Sequence, residues 1–378
     1  MVKKTLHKTI RARDLGIIIG EYPTGPENAI TDVPGVKVGH STLTSETSED
    51  RTRPIINTGV TVIVPHNNIW SEPVFAGVHR LNGSGDMTGV PWIQESGELT
   101  SAIGLTNTHS LGTVRDALVK AQVQQRNTSE IFWSLPVVAE TFDGLLSDIN
   151  GHHVSEEHVF AALSNAAAGP VPEGSVGSGR GMICHDFKGG IGTASRVFQA
   201  SGAKYTLGVL VQSNYGRRER LRINGKPIGE SIDETVVPVP HIPNGYERGS
   251  GSIIVVVATD APLLPHQCER IAQRASLAIG RMGGTGEQHS GDLMLAFSTG
   301  NRGLPSYAWD NNPDVQRAEI PLRMVAPQLM TTFFDMTVEA TEEAITNSIV
   351  AAETVHGPND TTAYGLDPEL LRSIYHQT

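Results

Sequence analysis

The sequence predicts a layered α/β fold in a single domain, and two patterns along the chain support this prediction. Short β-branched runs have the length of strands and are apolar on both faces, as expected for sheets covered on both sides. These runs are Val60 to Val64, Val209 to Val211, Ile253 to Ala258 and Leu293 to Phe297. Helical patterns alternate with them, and no repeat or linker divides residues 1–378. One domain is therefore the simplest organisation.

Three segments carry apolar residues at the three- and four-residue spacing of a helix. The first follows Pro262, and one of its faces is apolar: Leu264, Cys268, Ile271, Ala275 and Ala278. The second begins at Ser155, which can cap a helix whose first turn contains Glu156 and Glu157. The third runs from about Thr337 with four apolar residues on one stripe: Val338, Ile345, Ile349 and Ala352.

The charge balance disfavours a nucleic-acid partner. The formal net charge is −11, from 29 Lys and Arg against 40 Asp and Glu. The densest basic cluster is the segment from Arg217 to Arg220, and this segment itself contains Glu219. Because nucleic-acid binding needs a basic stripe, we predict no nucleic-acid partner.

The cysteines and the apolar runs predict a soluble cytoplasmic protein. Cys184 and Cys268 are too few for a disulfide framework and are expected to be buried thiols. The N-terminal run from Leu15 to Ile19 is too short for a secretory signal. The most apolar run, Ile253 to Ala258, is far shorter than a membrane span, so no membrane partner is predicted.

Two clusters have the composition of ligand sites but lack the residues that would complete them. The glycine-rich segment from Gly174 to Gly192 follows two prolines rather than a strand, which favours a turned loop at a cleft over a phosphate cradle. Three histidines near the second helix have no Cys or carboxylate to complete a metal site: His152, His153 and His158. We predict neither a metal nor a cofactor.

A Gly-Ser pair before a buried strand is the main candidate for chemistry. Gly249 and Ser250 precede the run from Ile253, although Gly83-Ser84 and Gly177-Ser178 are competing pairs. Glycine can adopt backbone angles that present its carbonyl to a neighbouring hydroxyl. An N→O acyl shift and hydrolysis would then free Ser250 as a new N-terminus. Its α-amine, with a pKa of about 7.7–8.0 in model peptides, could act as the base for its own hydroxyl.

The chain resembles the DmpA/BapA group, the family of self-processing L-aminopeptidase/D-esterases and β-peptidyl aminopeptidases. The resemblance covers almost the whole chain. It rests on ordered motifs that include NAITDVPGVKVGHSTL (Asn28 to Leu43), NGSGDMTG (Asn82 to Gly89), GLTNTHSLG (Gly104 to Gly112), PVVAETFDG (Pro136 to Gly144), GSGRGMICHDFKGGIGTASR (Gly177 to Arg196), VQSNYG (Val211 to Gly216), GSGSIIVVVATDAPLLPHQ (Gly249 to Gln267) and TGEQHSGD (Thr285 to Asp292).

The resemblance implies a layered α/β/β/α sandwich like that of N-terminal nucleophile hydrolases, with different connectivity, in a homotetramer. It implies self-cleavage between Gly249 and Ser250 into an α chain (1–249) and a β chain (250–378), with Ser250 as nucleophile. Asn214 matches the asparagine of the oxyanion hole, and Glu140 matches the carboxylate that anchors the substrate's amino group. The implied substrates are peptides, amides or esters with small N-terminal residues: glycine, alanine, D-alanine or β-amino acids.

Two positions depart from the family pattern. The family has a helper pair, a serine and a glutamate two residues later, and this pair falls on Thr285 and Glu287. Threonine keeps the hydroxyl of the family's serine but adds a methyl group. Phe142 stands where some members have a tyrosine that donates to the oxyanion, and phenylalanine cannot donate. Losing such a donor can raise the barrier by about 2.7–4 kcal/mol, unless a backbone N–H replaces it.

Two alternative functions remain open at this point. One is acyl transfer to an amine, as in ornithine acetyltransferase, a more distant relative that uses threonine as its nucleophile. The other is a small-amine-binding protein that has lost activity through Phe142 and Thr285. The preference among L-, D- and β-amino acids is also open, because loops shape the pocket.

Overall fold

Two β-sheets lie face to face between two layers of helices in the computed structural model, which describes residues 9–45, 53–126, 131–243, 246, 248–305 and 319–377. The strands within this part are Lys37–Thr44 (β1), Asn57–Val64 (β2), Val74–Gly83 (β3), Glu98–Leu99 (β4), Ile103–Asn107 (β5), Val137–Thr141 (β6), Ile183–Cys184 (β7), Phe187–Lys188 (β8), Gly190–Ala200 (β9), Ala203–Asn214 (β10), Ser252–Thr259 (β11), Gly291–Ser298 (β12), Val355–His356 (β13) and Thr362–Ala363 (β14). The α-helices are Val90–Ser96 (α1), Leu111–Gln125 (α2), Glu156–Ser164 (α3), Pro265–Arg281 (α4), Met330–Val350 (α5) and Pro368–Gln377 (α6).

The order of the strands places distant parts of the chain side by side. The larger sheet has the order β4-β3-β12-β11-β10-β9, and the smaller sheet has the order β1-β2-β5-β6. Strands β11 and β12 run parallel, and each has an antiparallel neighbour on its other side. The middle of the larger sheet therefore consists of strands that are adjacent in space but far apart in sequence.

Three apolar clusters define four layers. Between the sheets, Ile63 of β2 packs in one cluster with Ile254 and Val256 of β11. Val60 and Val62 point the other way, toward α2 and α3, because successive side chains of a strand alternate between its faces. Beyond the larger sheet, the opposite face of β11 packs against α4 and α5. The predicted α/β/β/α sandwich is confirmed.

The sequence pattern predicted some elements well and one helix poorly. The four predicted strands lie within β2, β10, β11 and β12, and the helices beginning near Ser155 and Pro262 correspond to α3 and α4. The third helix, α5, begins at Met330 instead of about Thr337 and ends at Val350, so Ile345 and Ile349 are buried on it as predicted but Ala352 lies beyond its end. Val338 is only half-buried, whereas polar residues such as Glu342 and Thr346 are buried. This is because α5 packs on β9, β10 and α4 together.

The glycine-rich segment is only partly the loop that was predicted. Residues 174–182 form turns and a short 3-10 helix, and β7 and β8 then form a small hairpin. The prediction is wrong for Gly190 to Gly192, which begin β9, where they pair with the end of β10.

A buried ion network links residues that precede Gly249 in the sequence to residues that follow Ser250. Arg196 of β9 contacts Glu339 at 3.0 Å and Glu343 at 2.7 Å, and both carboxylates belong to α5. Arg13 contacts Glu343 as well, at 2.7 Å. Strands β11 and β12 also lie between β3 and β10, so residues 1–249 and 250–378 share one sheet. Cleavage of the bond would therefore leave two chains that stay together.

Replacing Arg196 by alanine is expected to lower the free energy of unfolding by about 3–5 kcal/mol, since it leaves the buried Glu339 without its arginine and Glu343 with Arg13 alone. Chemical denaturation measures the effect on the Ser250→Ala chain, which keeps the backbone continuous. The control is Arg222→Ala, which removes an exposed contact with Glu230 and should change stability by about 0–1 kcal/mol. Equal effects of the two substitutions would contradict the role given to the buried network.

Candidate active site

The ends of several strands meet at one edge of the sandwich, around Ser250. Asn214, the last residue of β10, pairs with Ser252, the first residue of β11, and Ser252 pairs in turn with Gly291 at the start of β12. Strand β3 ends beside β12, and a bridge between Met87 and Ala139 brings the chain after β3 against β6 of the other sheet. Both sheets therefore contribute residues to this edge.

The Gly249–Ser250 bond lies in a tight turn. Gly249 has a φ of +80°, which favours glycine, and a Cβ added there would lie 2.8 Å from the Cγ atom of Arg217. Gly251 lies even closer to a neighbour, because a Cβ there would be 1.8 Å from the carbonyl oxygen of Asn214. The Ser250 side chain is buried, and its Oγ has no hydrogen-bond partner among the described residues. Among the described residues, a hydroxyl without a hydrogen-bond partner thus follows a glycine in the left-handed conformation, an arrangement suited to a nucleophile before attack.

Two cavities border this turn. The larger has a volume of about 370 Å³, and the residues lining it include Ser84, Asp86, Thr108, Glu140, Ser252 and His289. The smaller has a volume of about 30 Å³, and the residues lining it include Gly181, Ile183, Asp186, Asn214 and Tyr215. Both cavities are also lined by Phe142, Tyr246, Ser250 and Gly251. Ser250 thus lies between the larger cavity and the smaller one.

Glu140 is a buried carboxylate near the end of β6, directly after the apolar run from Val137 to Ala139. It accepts hydrogen bonds from the backbone N–H of Asp86, at 2.9 Å, and from the hydroxyl of Thr108. Burial raises its pKa, and these hydrogen bonds oppose the rise. Within the part of the chain that the structure describes, no lysine or arginine pairs with it. A buried carboxylate of this kind is suited to an ammonium group that arrives with the substrate.

Asp143 adds a second buried carboxyl group, which the sequence did not single out. Burial raises its pKa to about 7, and the nearby Glu140 contributes to the rise. Its Oδ2 accepts a hydrogen bond from Asn107 at 3.0 Å, while its Oδ1 has no partner among the described residues. The PVVAETFDG motif therefore contributes two buried carboxyl groups, and Glu140 is the one that lines the larger cavity.

Asn214 lies on the other side of Ser250, within the smaller cavity. It ends β10, because the antiparallel ladder with β11 extends to this residue. Its Oδ1 accepts from the backbone N–H of Ile183 at 2.7 Å, and its Nδ2 donates to the carbonyl of Phe142 at 2.9 Å. An amide nitrogen carries two hydrogens, so the second can still serve an oxyanion.

Thr285 and Glu287 lie in the loop between α4 and β12. Their side chains contact each other at 3.3 Å, and Arg220 donates to both, at 2.9 Å to Thr285 and 3.1 Å to Glu287. Among the described hydrogen bonds, none joins either residue to Ser250. Arg220, a member of the basic cluster noted in the sequence, thus holds both side chains of the predicted helper pair.

Phe142 forms a wall of both cavities together with a tyrosine. Its ring stacks on Tyr246 with 5.8 Å between the ring centres and 23° between the planes. The Tyr246 hydroxyl donates to the carbonyl of Ser250 at 2.6 Å. A phenol therefore lies beside the phenylalanine, although the sequence offered no signal for it because Tyr246 is far from Phe142 along the chain.

The remaining sequence candidates have structural roles. His158 accepts from the backbone N–H of Ser155 at the start of α3, and His153 contacts Asp148 at 2.9 Å. Cys184 and Cys268 are buried free thiols, as predicted. Across the described ranges, the structure contains no group of three or more His, Cys, Asp or Glu placed to hold a metal. It likewise contains no helix long and apolar enough to cross a membrane there.

Comparison with known families decides the identity of the chain. The family model described as peptidase family S58 matches residues 28–363. The chain belongs to peptidase family S58.

Three relatives show how closely this S58 peptidase follows known proteins. The β-peptidyl aminopeptidase BapA of Sphingosinicella microcystinivorans is 46% identical over 374 residues, which cover 96% of this chain and 91% of the relative. The solved β-aminopeptidase of Burkholderia sp. is 49% identical with a TM-score of 0.89, and the match covers 97% and 99% of the two chains. The L-aminopeptidase D-Ala-esterase/amidase of Ochrobactrum anthropi is 42% identical with a TM-score of 0.86, covering 97% and 98%.

The last of these structures is described as a prototype for the serine aminopeptidases and a variant of the Ntn hydrolase fold. These likenesses confirm the predicted family, the Ntn-like fold and the enzyme class, a hydrolase with aminopeptidase activity. They support hydrolysis and give no support to the acyltransferase or to the inactive binding protein.

Proposed function

We propose that this S58 peptidase removes small N-terminal residues from peptides, amides and esters, after cleaving itself between Gly249 and Ser250. The observation that carries the proposal is the position of Ser250. Its buried hydroxyl, which has no hydrogen-bond partner among the described residues, lies between a cavity lined by the Glu140 carboxylate and a cavity lined by the Asn214 amide.

Self-cleavage begins with attack of Ser250 Oγ on the carbonyl carbon of Gly249. The bond from that carbon to the Ser250 nitrogen breaks, the nitrogen takes a proton, and an ester joins Gly249 to Oγ. Water then hydrolyses the ester, which frees the Gly249 carboxylate and restores the Ser250 hydroxyl. The products are chains of 249 and 129 residues, and the second begins with an α-amine on the nucleophile itself.

Alanine at position 249 is expected to slow self-cleavage about tenfold, because a left-handed φ costs about 1–2 kcal/mol with a Cβ and the carbonyl is displaced when the strain relaxes. The measurement is the decay of the full-length chain in a pulse–chase gel. Gly202→Ala is the matched control, since Gly202 also has a φ of +80° but lies in the β9–β10 turn with open space around it. Normal cleavage of Gly249→Ala, or equal slowing in both variants, would contradict the need for glycine before Ser250.

Catalysis on an external substrate uses the same atoms in a second role. The neutral α-amine takes the proton of Ser250 Oγ as the oxygen attacks the substrate carbonyl. The second Nδ2 hydrogen of Asn214 stabilises the oxyanion, and the proton passes to the leaving group as the bond breaks. Water then hydrolyses the acyl-enzyme. Thr285 and Glu287, held by Arg220, orient the new N-terminus.

Glu140 restricts the reaction to N-termini. Its carboxylate, which is itself only 3% exposed, binds the substrate's free ammonium, and this places the first carbonyl at Ser250. An acetylated amine carries no charge and leaves the buried carboxylate without a partner. The larger cavity has room for the extra methylene of a β-amino acid as well as for glycine and alanine.

A panel of p-nitroanilides tests the proposed function. Glycine, L-alanine, D-alanine and β-alanine derivatives should be hydrolysed, and N-acetylglycine p-nitroanilide should not. Acetyl transfer to ornithine is measured in parallel. Hydrolysis of the acetylated compound at a similar rate, or acetyl transfer faster than hydrolysis, would contradict the proposal. A homotetramer of processed αβ units and a cytoplasmic location remain predictions, which light scattering and cell fractionation would test.

A further inference from the structure

An ion pair anchors the chain directly before the scissile bond. Arg248 precedes Gly249, and its Nη2 lies 2.7 Å from Oδ2 of Asp186. Two more carboxylates lie farther away, Glu219 at 3.7 Å and Glu234 at 3.9 Å. The Asp186 side chain is only 4% exposed, whereas that of Arg248 is 38% exposed. The strongest contact of Arg248 is therefore with the buried carboxylate beside the cleavage site.

Asp186 is held rigidly by its own surroundings. It has a φ of +60° and follows His185 at +50°, so two successive residues adopt the left-handed conformation. The backbone N–H of Arg218 donates to its Oδ2 at 2.9 Å, and the Arg218 side chain donates to its carbonyl at 3.0 Å. Such a fixed carboxylate can define the position of a more mobile arginine.

Tyr246 fixes the residue on the other side of the scissile bond, Ser250. Its hydroxyl reaches across the Gly249–Ser250 bond to the carbonyl of Ser250, while its ring stacks on Phe142. This hydrogen bond thus joins Tyr246 to the residue that follows the scissile bond. Within the turn, Gly249 has no side chain of its own, so its carbonyl depends on its neighbours for its position.

We propose that Arg248, through its ion pair with Asp186, positions the Gly249 carbonyl for attack by Ser250, and that Arg248 serves self-cleavage and not the hydrolysis of external substrates. The proposal rests on the self-cleavage proposed above. Arg248 does not line either cavity. Once the bond is cut, it belongs to the C-terminal end of the α chain, and the nucleophile is on the β chain. Arg248 is therefore a positioning residue for self-cleavage alone.

The experiment follows cleavage of the full chain after a pulse of cell-free synthesis. Arg248→Ala should cleave about tenfold more slowly than the wild type, the size expected for the loss of a charge-assisted hydrogen bond. Arg248→Lys should restore much of the rate because it keeps the charge. Asp186→Asn should slow cleavage similarly, and the double variant Arg248→Ala/Asp186→Asn should be no slower than either single variant.

Two controls separate positioning from folding. Arg222→Ala removes a comparably exposed arginine that pairs with Glu230, and it should cleave at the wild-type rate. Melting temperatures of Ser250→Ala with and without Arg248→Ala should agree within a few degrees. When cleavage is complete, Arg248→Ala should have the wild-type kcat and KM.

Three results would overturn the inference: wild-type cleavage in Arg248→Ala, no rescue by lysine, or a processed Arg248→Ala enzyme with a reduced kcat. These outcomes differ from failure of the proposed function itself. In that case the wild-type chain would stay whole, and the Arg248 variants would have no reaction to slow.

Discussion

Replacing Ser250 by alanine is expected to leave one uncleaved chain of 378 residues without aminopeptidase activity. The substitution removes the oxygen that attacks Gly249 and, with it, the amine that self-cleavage would have freed. Loss of a nucleophile lowers turnover by on the order of 10⁶-fold in a comparable serine hydrolase, so activity should fall below detection. Denaturing gels and the glycine p-nitroanilide assay measure the two effects.

Ser178→Ala is the control for this prediction. Ser178 belongs to the competing Gly177-Ser178 pair, and its hydroxyl instead donates to Thr61 at 2.9 Å within a buried contact. This variant should cleave itself normally. Cleavage of the Ser250→Ala chain at the same bond would show that another group carries out the reaction.

Replacing Glu140 by glutamine is expected to lower kcat/KM for free-amine substrates by about 10–100-fold, because the substrate ammonium loses its charged partner. Glutamine has nearly the same shape and can still accept from the backbone N–H of Asp86. Self-cleavage needs no ammonium, so Glu140→Gln should still produce two chains. Activity lost together with cleavage would instead indicate a folding defect.

The same substitution should stabilise the folded protein at neutral pH. Burial raises the pKa of Glu140 above its value in the unfolded chain. A raised carboxyl pKa favours the folded state at low pH, and this advantage is lost as the pH rises through the folded-state pKa. Melting curves of Ser250→Ala with and without Glu140→Gln should agree near pH 4, and the glutamine form should be more stable at pH 7. A difference that does not change with pH would contradict this account of Glu140.

The sequence predicted most of the strands because their apolar runs are local features. Val60 to Val64 and Ile253 to Ala258 are apolar on both faces, and both are strands buried on both sides. The order of strands could not be predicted in this way, since β12 lies between β3 and β11 through pairings across about 200 residues and about 40 residues. The layer order came from family resemblance, and the packing of the three apolar clusters confirmed it.

The residues of the candidate site likewise include some that the sequence predicted and others that only the structure revealed. The apolar run from Val137 to Ala139 was enough to place Glu140 at a strand end. The ordered family motifs were needed to distinguish Ser250 from the serines of the two competing Gly-Ser pairs. The contacts of Tyr246, Arg248 and Asp186 left no signal in the sequence, because each depends on residues that only the folded chain brings together. Phe142 in place of a tyrosine predicted the loss of a hydrogen-bond donor, but the structure shows that its ring also stacks on the phenol of Tyr246.

The central claim is that Ser250 becomes an N-terminal residue by cleavage of the chain, and mass spectrometry of the purified wild-type protein tests it most directly. The account predicts two masses, for residues 1–249 and 250–378, with N-terminal sequencing of the smaller chain reading Ser-Gly-Ser-Ile. The two chains should elute together on a sizing column under native conditions. An intact chain that hydrolyses glycine p-nitroanilide, or a new N-terminus at any other residue, would contradict the account.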